Sequence, residues 1–118
     1  MNTQNLKYEL SQFTGTEQYY RFHELLLTDG TYYLAEAAKC FWFIDVIWSY
    51  VGRWLDKEDF ITCKLTVNDS IGKVVFDDGN KNVLASQTIP YTDFPLDKIQ
   101  LYIVRQDNQF VVMLPSEY

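Results

Sequence analysis

The residues Ile61-Thr62-Cys63-Lys64-Leu65-Thr66-Val67 alternate apolar and polar side chains. Successive side chains of an extended segment point to opposite faces, so this alternation predicts a strand with one buried face. Asn68-Asp69-Ser70 is typical of a turn, and Gly72–Asp77 predicts a second strand. Asp78-Gly79-Asn80 then indicates a tight hairpin, because glycine adopts positive φ without steric cost. This part of the chain is therefore expected to form a sheet of hairpins.

Three further strands are predicted toward the C-terminus, over Val83–Tyr91, Ile99–Arg105 and Phe110–Leu114. Connections as short as Gln106-Asp107-Asn108 join neighbouring strands only when these run in opposite directions. We therefore expect a five-stranded antiparallel sheet over about residues 60–115.

A short helix is predicted to start near Thr3, because apolar residues recur there at the spacing of one helical face: Leu6, Leu10 and Phe13. Thr14 and Glu17 have the spacing of a capping box, whereas the neighbouring Gly15 and aromatic residues oppose a helix start. Residues 17–27 are compatible with helix, strand or loop and are left unassigned.

A second helix is predicted to begin at Thr28-Asp29-Gly30, since Thr and Asp are preferred N-cap residues. It continues, or restarts after a kink, through Phe41–Trp54, a segment that is apolar nearly all round. Helices over about residues 1–56 followed by strands are typical of an α+β fold. We expect a single domain, 1–118, with N-terminal helices packed on one face of the sheet.

The charge and hydropathy patterns argue against nucleic-acid binding and against a membrane-spanning segment. The formal net charge is −6, and the basic residues are isolated rather than clustered, so nucleic-acid binding is not expected. The most apolar stretch, Cys40–Val51, has about 12 residues, whereas a membrane-spanning helix needs about 20. Met1–Asn5 lacks the basic and apolar parts of a signal peptide. We expect a cytoplasmic protein without a membrane segment.

The two cysteines, Cys40 and Cys63, fit no metal-binding spacing, and the chain has a single histidine. Buried free thiols in a reducing cytoplasm are the expected state. The serines lie in no G-x-S-x-G motif, and the glycines form no phosphate-binding loop. No metal and no cofactor is expected.

Asp45 is the strongest candidate for a functional residue, because a carboxylate in an apolar helix is costly unless it is paired or hydrogen-bonded. It is either an acid, base or ligand anchor, or part of a polar stripe with Ser49 and Arg53 that faces water or a basic residue. His23, the only histidine, is either an acid–base group paired with a nearby carboxylate or a structural or exposed residue. The catalytic candidates are Asp45, His23, Arg21 and Glu36.

Aromatic residues make up 17% of the chain, and many of them lie between Tyr19 and Trp54. A helix of a small domain usually buries one side, and here aromatic side chains point to more than one. They either form a core covered from two sides or present an interface, for which Tyr and Trp are favoured. The interface candidates are Trp42, Trp48, Tyr50 and Trp54.

The chain resembles a family of small uncharacterised bacterial proteins, a domain of unknown function, in blocks that keep their order over nearly its whole length. The blocks are Leu10–Glu17, Tyr20-Arg21, Thr28–Gly30, Tyr33–Glu36, Trp42–Asp45, Lys64–Asp69, Tyr91–Leu96 and Met113–Tyr118. The resemblance implies no activity, cofactor or catalytic residue. Family members tend to have glycine or a small residue between the two helical parts, where this chain has Lys39-Cys40.

Two functional hypotheses follow. The first is a small cytoplasmic binding or regulatory module without catalytic activity, which binds another protein or forms a homodimer through the aromatic helix. The alternative is a small enzyme or ligand-binding protein with a pocket between helices and sheet that uses Asp45 and His23. We favour the non-enzymatic hypothesis, because the sequence carries no catalytic signature.

Overall fold

The computed structural model describes residues 3–118; Met1 and Asn2, the start of the segment considered above as a signal peptide, lie outside the described residues. The helices are α1 (Thr3–Ser11), α2 (Asp29–Ala37) and α3 (Phe41–Val51). The strands are β1 (Tyr20–Phe22), β2 (Leu25–Leu27), β3 (Phe60–Asn68), β4 (Ile71–Asp77), β5 (Val83–Ile89), β6 (Lys98–Gln106) and β7 (Gln109–Met113). Short 3-10 turns follow α3 at Gly52–Trp54 and β7 at Pro115–Glu117.

The fold is α+β, with the sheet order β1-β2-β7-β6-β3-β4-β5. The five predicted strands are confirmed as β3 to β7, and each neighbouring pair among them is antiparallel. The prediction of five antiparallel strands was wrong for the sheet as a whole, which has seven strands and is mixed. The unassigned residues 17–27 supply the β1–β2 hairpin, and β2 runs parallel to β7 with Leu25 opposite Phe110.

The prediction that all helices precede the strands was wrong. The β1–β2 hairpin lies between α1 and α2. Three-residue strands give too short a pattern for alternation to be detected, and Leu25–Leu27 is uniformly apolar. A parallel partner also requires a long connection, so no local turn signal marks the pairing of β2 with β7.

The capping box predicted for Thr14 and Glu17 is not formed, because residues 12–19 contain no helix. This segment is instead tied to the start of α2. The Asp29 amide donates to the Thr16 hydroxyl at 2.9 Å, and the Glu17 amide donates to the Asp29 carboxylate at 2.9 Å. These bonds bring the segment before β1 onto the N-terminus of α2.

The helical region after Thr28 forms two helices. Thr28 is the N-cap of α2, and its hydroxyl accepts a hydrogen bond from the Thr31 amide. Lys39 adopts a φ of 54° between α2 and α3, a left-handed conformation that ends α2. The helix therefore restarts at Phe41 instead of continuing.

The buried side chains of α3, which include Phe43, Ile44 and Ile47, belong to the same core as the inward-facing residues of β3. Tyr50 and Trp54 extend this packing, since both rings lie against Phe76 of β4. Phe43, Tyr50 and Trp54 are thus accounted for by the packing of this region against the sheet. Among residues 3–118, no helix has the length and apolar character needed to cross a membrane.

The β4–β5 turn uses its own carboxylates as structural groups. Asp77 accepts hydrogen bonds from the Thr62 hydroxyl and the Gly79 amide, both at 2.7 Å. Hydrogen bonds from the Asn82 side chain and from the Asn80 amide lower the pKa of the Asp78 carboxyl. The hairpin predicted here is confirmed by the pairing of β4 with β5.

Candidate functional site

A groove with a volume of about 770 Å³ lies between the C-terminal half of α3, the β1–β2 hairpin and the start of β7. We call it the α3 groove, and the side chains that matter most for its chemistry are Arg21, Leu25, Trp48, Val51, Arg53 and Phe110. It lies between helix and sheet, as the alternative hypothesis requires of a ligand pocket.

The apolar part of the α3 groove is a product of the sheet register. Leu25 of β2 and Phe110 of β7 are direct neighbours in the parallel pair, and both are almost fully buried. Val51, at the end of α3, is buried opposite them and also lines the groove. The apolar floor of the groove is therefore part of the protein core.

Two guanidinium groups line the same groove. Arg21 donates to the Gln109 side-chain oxygen at 3.3 Å, and the Arg53 guanidinium lies 5.2 Å from the centre of the Tyr50 ring. Within the described part of the chain, neither arginine forms an ion pair with a carboxylate. Glu24 also lines the groove, but its carboxylate accepts a hydrogen bond from the Trp48 indole. The two arginines retain donors suited to a carboxylate or phosphate group.

His23 and Asp45 come together beside the α3 groove. The His23 Nε2 lies 3.8 Å from the Asp45 Oδ1, with the two side chains 50% and 58% exposed. The His23 ring also stacks on Trp48 with 4.4 Å between ring centres. The Asp45 carboxylate is thus exposed to water and lies near the His23 ring, so its charge carries no exceptional desolvation cost.

The other catalytic candidates are divided between two places. Arg21 lines the α3 groove, whereas Glu36 lies on α2 in a separate cavity beside Tyr20 and Tyr32. The four candidates therefore do not form one catalytic cluster. Ser49 also lines the groove, but its hydroxyl donates to the Val46 carbonyl at 2.7 Å.

The four interface candidates differ in exposure. Trp48 is 39% exposed at the α3 groove, and Trp42 and Tyr50 are half-buried. Trp54 is only 8% exposed, because its ring packs against Phe76. Trp48 is the tryptophan that presents the most surface to a partner.

Both cysteines are free and buried. Burial raises the pKa of Cys40 to about 12 and raises that of Cys63 well above its ordinary value. The neutral Cys40 thiol donates to the Leu34 carbonyl at 3.6 Å. Neither thiol carries the negative charge that a nucleophile or metal ligand needs. Residues 3–118 contain no group of three or more His, Cys, Asp or Glu side chains placed to hold a metal ion.

Sequence reasoning assigned no binding role to Arg53, Gln109 or Phe110. Arg53 was identified only as the last member of a polar stripe with Asp45 and Ser49. That stripe correctly indicated that the Arg53 side chain is exposed. Gln109 and Phe110 gave no signal, because their place in the groove depends on the parallel pairing of β2 with β7.

Comparison with known proteins identifies the family but gives no function. No curated protein and no solved structure matches the chain. A family model described as a family of unknown function (DUF6876) matches residues 4–118. The chain therefore belongs to this family of unknown function.

Proposed function

We propose that the chain is a non-enzymatic binding module and that the α3 groove holds an organic anion with an apolar body. One observation carries the proposal: Arg21 and Arg53, neither of them paired with a carboxylate, line the same groove as the buried residues Leu25 and Phe110. Such a combination of an apolar surface and a few polar groups is typical of small-molecule sites.

The two parts of the groove select different parts of the ligand. Burying an apolar group contributes about 25 cal/mol for each Å² removed from water, so the wall around Val51 favours an alkyl or aryl body. A guanidinium binds carboxylate oxygens through two parallel hydrogen bonds, and this fixes the orientation of the charged end. A small inorganic anion would use only the arginines, and a neutral apolar compound would use only the wall.

The arrangement around His23 supports binding rather than catalysis. His23 and Asp45 are both about half exposed, so the site does not exclude water from the pair. The nearby Ser49 hydroxyl is engaged with the Val46 carbonyl. An enzyme using this pair is the alternative, and it would require a ligand that covers His23.

A second candidate function is self-association through the same side of α3. The exposure of Trp48 favours it, because tryptophan is a common anchor of protein interfaces. Sedimentation at high concentration tests it, and a monomer with unchanged Trp48 exposure contradicts it. We also propose a bacterial cytoplasmic location, which the free state of Cys40 and Cys63 supports.

The ligand proposal is tested by calorimetric titration with 4-phenylbutyrate and with the neutral 4-phenylbutanol. We expect the carboxylate to bind more tightly, and Arg53→Gln or Arg21→Gln to weaken carboxylate binding about tenfold while leaving the alcohol unaffected. Lys73→Gln, on an exposed residue of β4 outside the groove, is the matched control. Equal affinities for the two probes, or unchanged carboxylate binding in both arginine variants, would contradict the proposal.

A further inference from the structure

A second cavity, with a volume of about 480 Å³, lies between α2, β1 and the residues that follow α1. We call it the tyrosine pocket, and its walls include Phe13, Tyr20, Asp29, Tyr32, Tyr33 and Glu36. None of these residues lines the α3 groove, so the tyrosine pocket is argued independently of the proposed function.

The walls of the tyrosine pocket are ordered aromatic rings. Tyr20 and Tyr32 stack with 4.2 Å between their centres and 8° between their planes. Phe13 and Tyr33 form a second pair with a centroid distance of 5.5 Å. Tyr32 is also held by an edge contact with Phe41, at 6.0 Å. Rings packed against one another in this way lose little further side-chain freedom on binding.

The charge of the tyrosine pocket is negative. Asp29 and Glu36 line it together with no lysine, arginine or histidine. Among the described residues neither carboxylate forms an ion pair. A hydrogen bond to Glu36 raises the pKa of Tyr32, and desolvation followed by the charge of Asp29 raises the pKa of Tyr20. The phenols therefore stay neutral beside the two carboxylates at physiological pH.

We propose that the tyrosine pocket binds an organic ammonium group. Aromatic faces attract such a cation through their quadrupole, and the carboxylates of Asp29 and Glu36 add direct charge attraction. Calcium and magnesium would need about six oxygen ligands, which two carboxylates among aromatic rings do not supply. An ammonium group with methyl or methylene substituents matches both the rings and the charge. Its source is either a free amine or the side chain of a lysine.

Glu36 is the better residue for a test, because the Asp29 carboxylate makes a hydrogen bond that contributes to the fold. The Asp29 carboxylate accepts a hydrogen bond from the Glu17 amide and lies in the first turn of α2, where a negative charge is stabilising. Glu36 lies in the last turn of α2 and is exposed. Replacing it removes charge from the tyrosine pocket at little expected cost to the fold.

The proposal is tested by NMR titration with choline and with its neutral analogue 3,3-dimethyl-1-butanol. We expect choline to bind in the millimolar range or tighter, with shifts confined to the tyrosine pocket, and the alcohol to bind about tenfold more weakly. Glu36→Gln should weaken choline binding about three- to tenfold, and Tyr33→Leu, with its fold checked by thermal unfolding, should weaken it similarly. Asp56→Asn, an exposed carboxylate outside the pocket, should leave the affinity unchanged.

The two sources of the ammonium group are separated by a lysine-containing peptide and the same peptide with that lysine acetylated. Binding of the unmodified peptide, with displacement by choline, supports a lysine side chain as the ligand. Binding of choline without binding of the peptide supports a free amine. The proposal is overturned if choline does not saturate, if the neutral alcohol binds as tightly as choline, or if Glu36→Gln leaves the choline affinity unchanged.

Discussion

The Glu117 carboxylate accepts a hydrogen bond from the Gly30 amide at the N-terminus of α2, with 3.0 Å between Oε2 and N. Its other oxygen accepts from the Thr28 hydroxyl at 2.6 Å and from the Leu114 amide at 2.9 Å. The first amides of a helix lack partners within the helix and favour negative charge. Glu117 therefore completes the N-terminal cap of α2, from which it is distant in sequence.

This relationship connects two segments that the sequence analysis singled out. Thr28-Asp29-Gly30 and Met113–Tyr118 lie far apart in sequence, yet they meet at the Glu117 carboxylate. Capping accounts for Thr28 and Glu117, and the close approach of the two segments accounts for Gly30.

We expect Glu117→Ala to lower the free energy of unfolding by about 2 kcal/mol, because two hydrogen bonds from the α2 cap and one from the Leu114 amide are lost. Glu117→Gln keeps the shape but removes the charge, and about 1 kcal/mol should be lost. Urea denaturation measures both values. Glu9→Gln, on an exposed part of α1, is the control and should change stability by less than about 0.5 kcal/mol. Equal stability of the Glu117 variants and the control would mean that the cap contributes nothing.

The sequence was sufficient for the strands that alternate. In β3, Ile61, Cys63 and Leu65 are buried while Lys64 and Thr66 are exposed, as a period of two predicts. Thr62 is the exception, since it is buried and donates to the Asp77 carboxylate. It was insufficient for β1 and β2, because their three residues contain no full pattern and their place depends on the distant β7. Side-chain periodicity describes the surroundings of a segment, and it does not identify the partner strand.

The candidate site was predictable only where a residue stands out from its local sequence. Asp45 was identified because a charge interrupts an apolar helix, and His23 because it is the only histidine. The α3 groove was not predictable, since it forms only where the parallel β2–β7 pair places Leu25 and Phe110 beside the end of α3. A site composed of residues from distant parts of the chain leaves no local signal.

Lys39→Gly should stabilise the fold. Lys39 has a φ of 54° after α2, while the Lys39 amide donates to the Glu36 carbonyl and the Cys40 amide to the Ala35 carbonyl. This is the Schellman arrangement of a helix end, in which glycine is preferred at the left-handed position. We expect a gain of about 1 kcal/mol in the free energy of unfolding. Lys39→Ala keeps the steric cost, so a similar gain in that variant would contradict the explanation.

Asp45→Asn should leave the stability within about 0.5 kcal/mol of the parent chain, because polar contacts between exposed side chains contribute little. The supporting observation is that His23 and Asp45 are 3.8 Å apart and about half exposed. Thermal unfolding at low and at high salt measures the effect. A loss above about 1.5 kcal/mol would show that the pair is coupled to the core, contrary to its exposure.

Alkaline pH should destabilise the fold through the buried thiols. The folded pKa of Cys40, about 12, is above its ordinary value of 9.0. The contribution of the neutral thiol is therefore fully present below pH 9 and is lost as the pH rises from 9 to 12, where the unfolded chain ionises first. At pH 10 the loss should be about 1.4 kcal/mol. Cys40→Ala should show a shallower decline between pH 8 and pH 10, and an identical slope would contradict the assignment.

Gly30→Ala should be destabilising although alanine is the better helix former. A Cβ on Gly30 would lie 2.6 Å from the Leu114 Cδ1 and 2.7 Å from the Glu117 Oε1. These distances are too short for undisturbed contacts, so the Leu114 and Glu117 side chains must shift, and a shift of Glu117 disturbs the hydrogen bonds that its carboxylate accepts. We expect a loss of about 1–3 kcal/mol, measured by urea denaturation.

A double-mutant cycle with Glu117→Ala separates this close approach from an ordinary helix effect. Without the Glu117 side chain, one of the two obstacles to the new Cβ is gone, and the Leu114 methyl can shift into the space. Gly30→Ala should therefore cost at least about 1 kcal/mol less in the Glu117→Ala background than in the parent chain. Additive losses would mean that Gly30 acts through its own backbone. A coupling of the expected sign would show that glycine is required at position 30 because the Glu117 carboxylate occupies the space beside it.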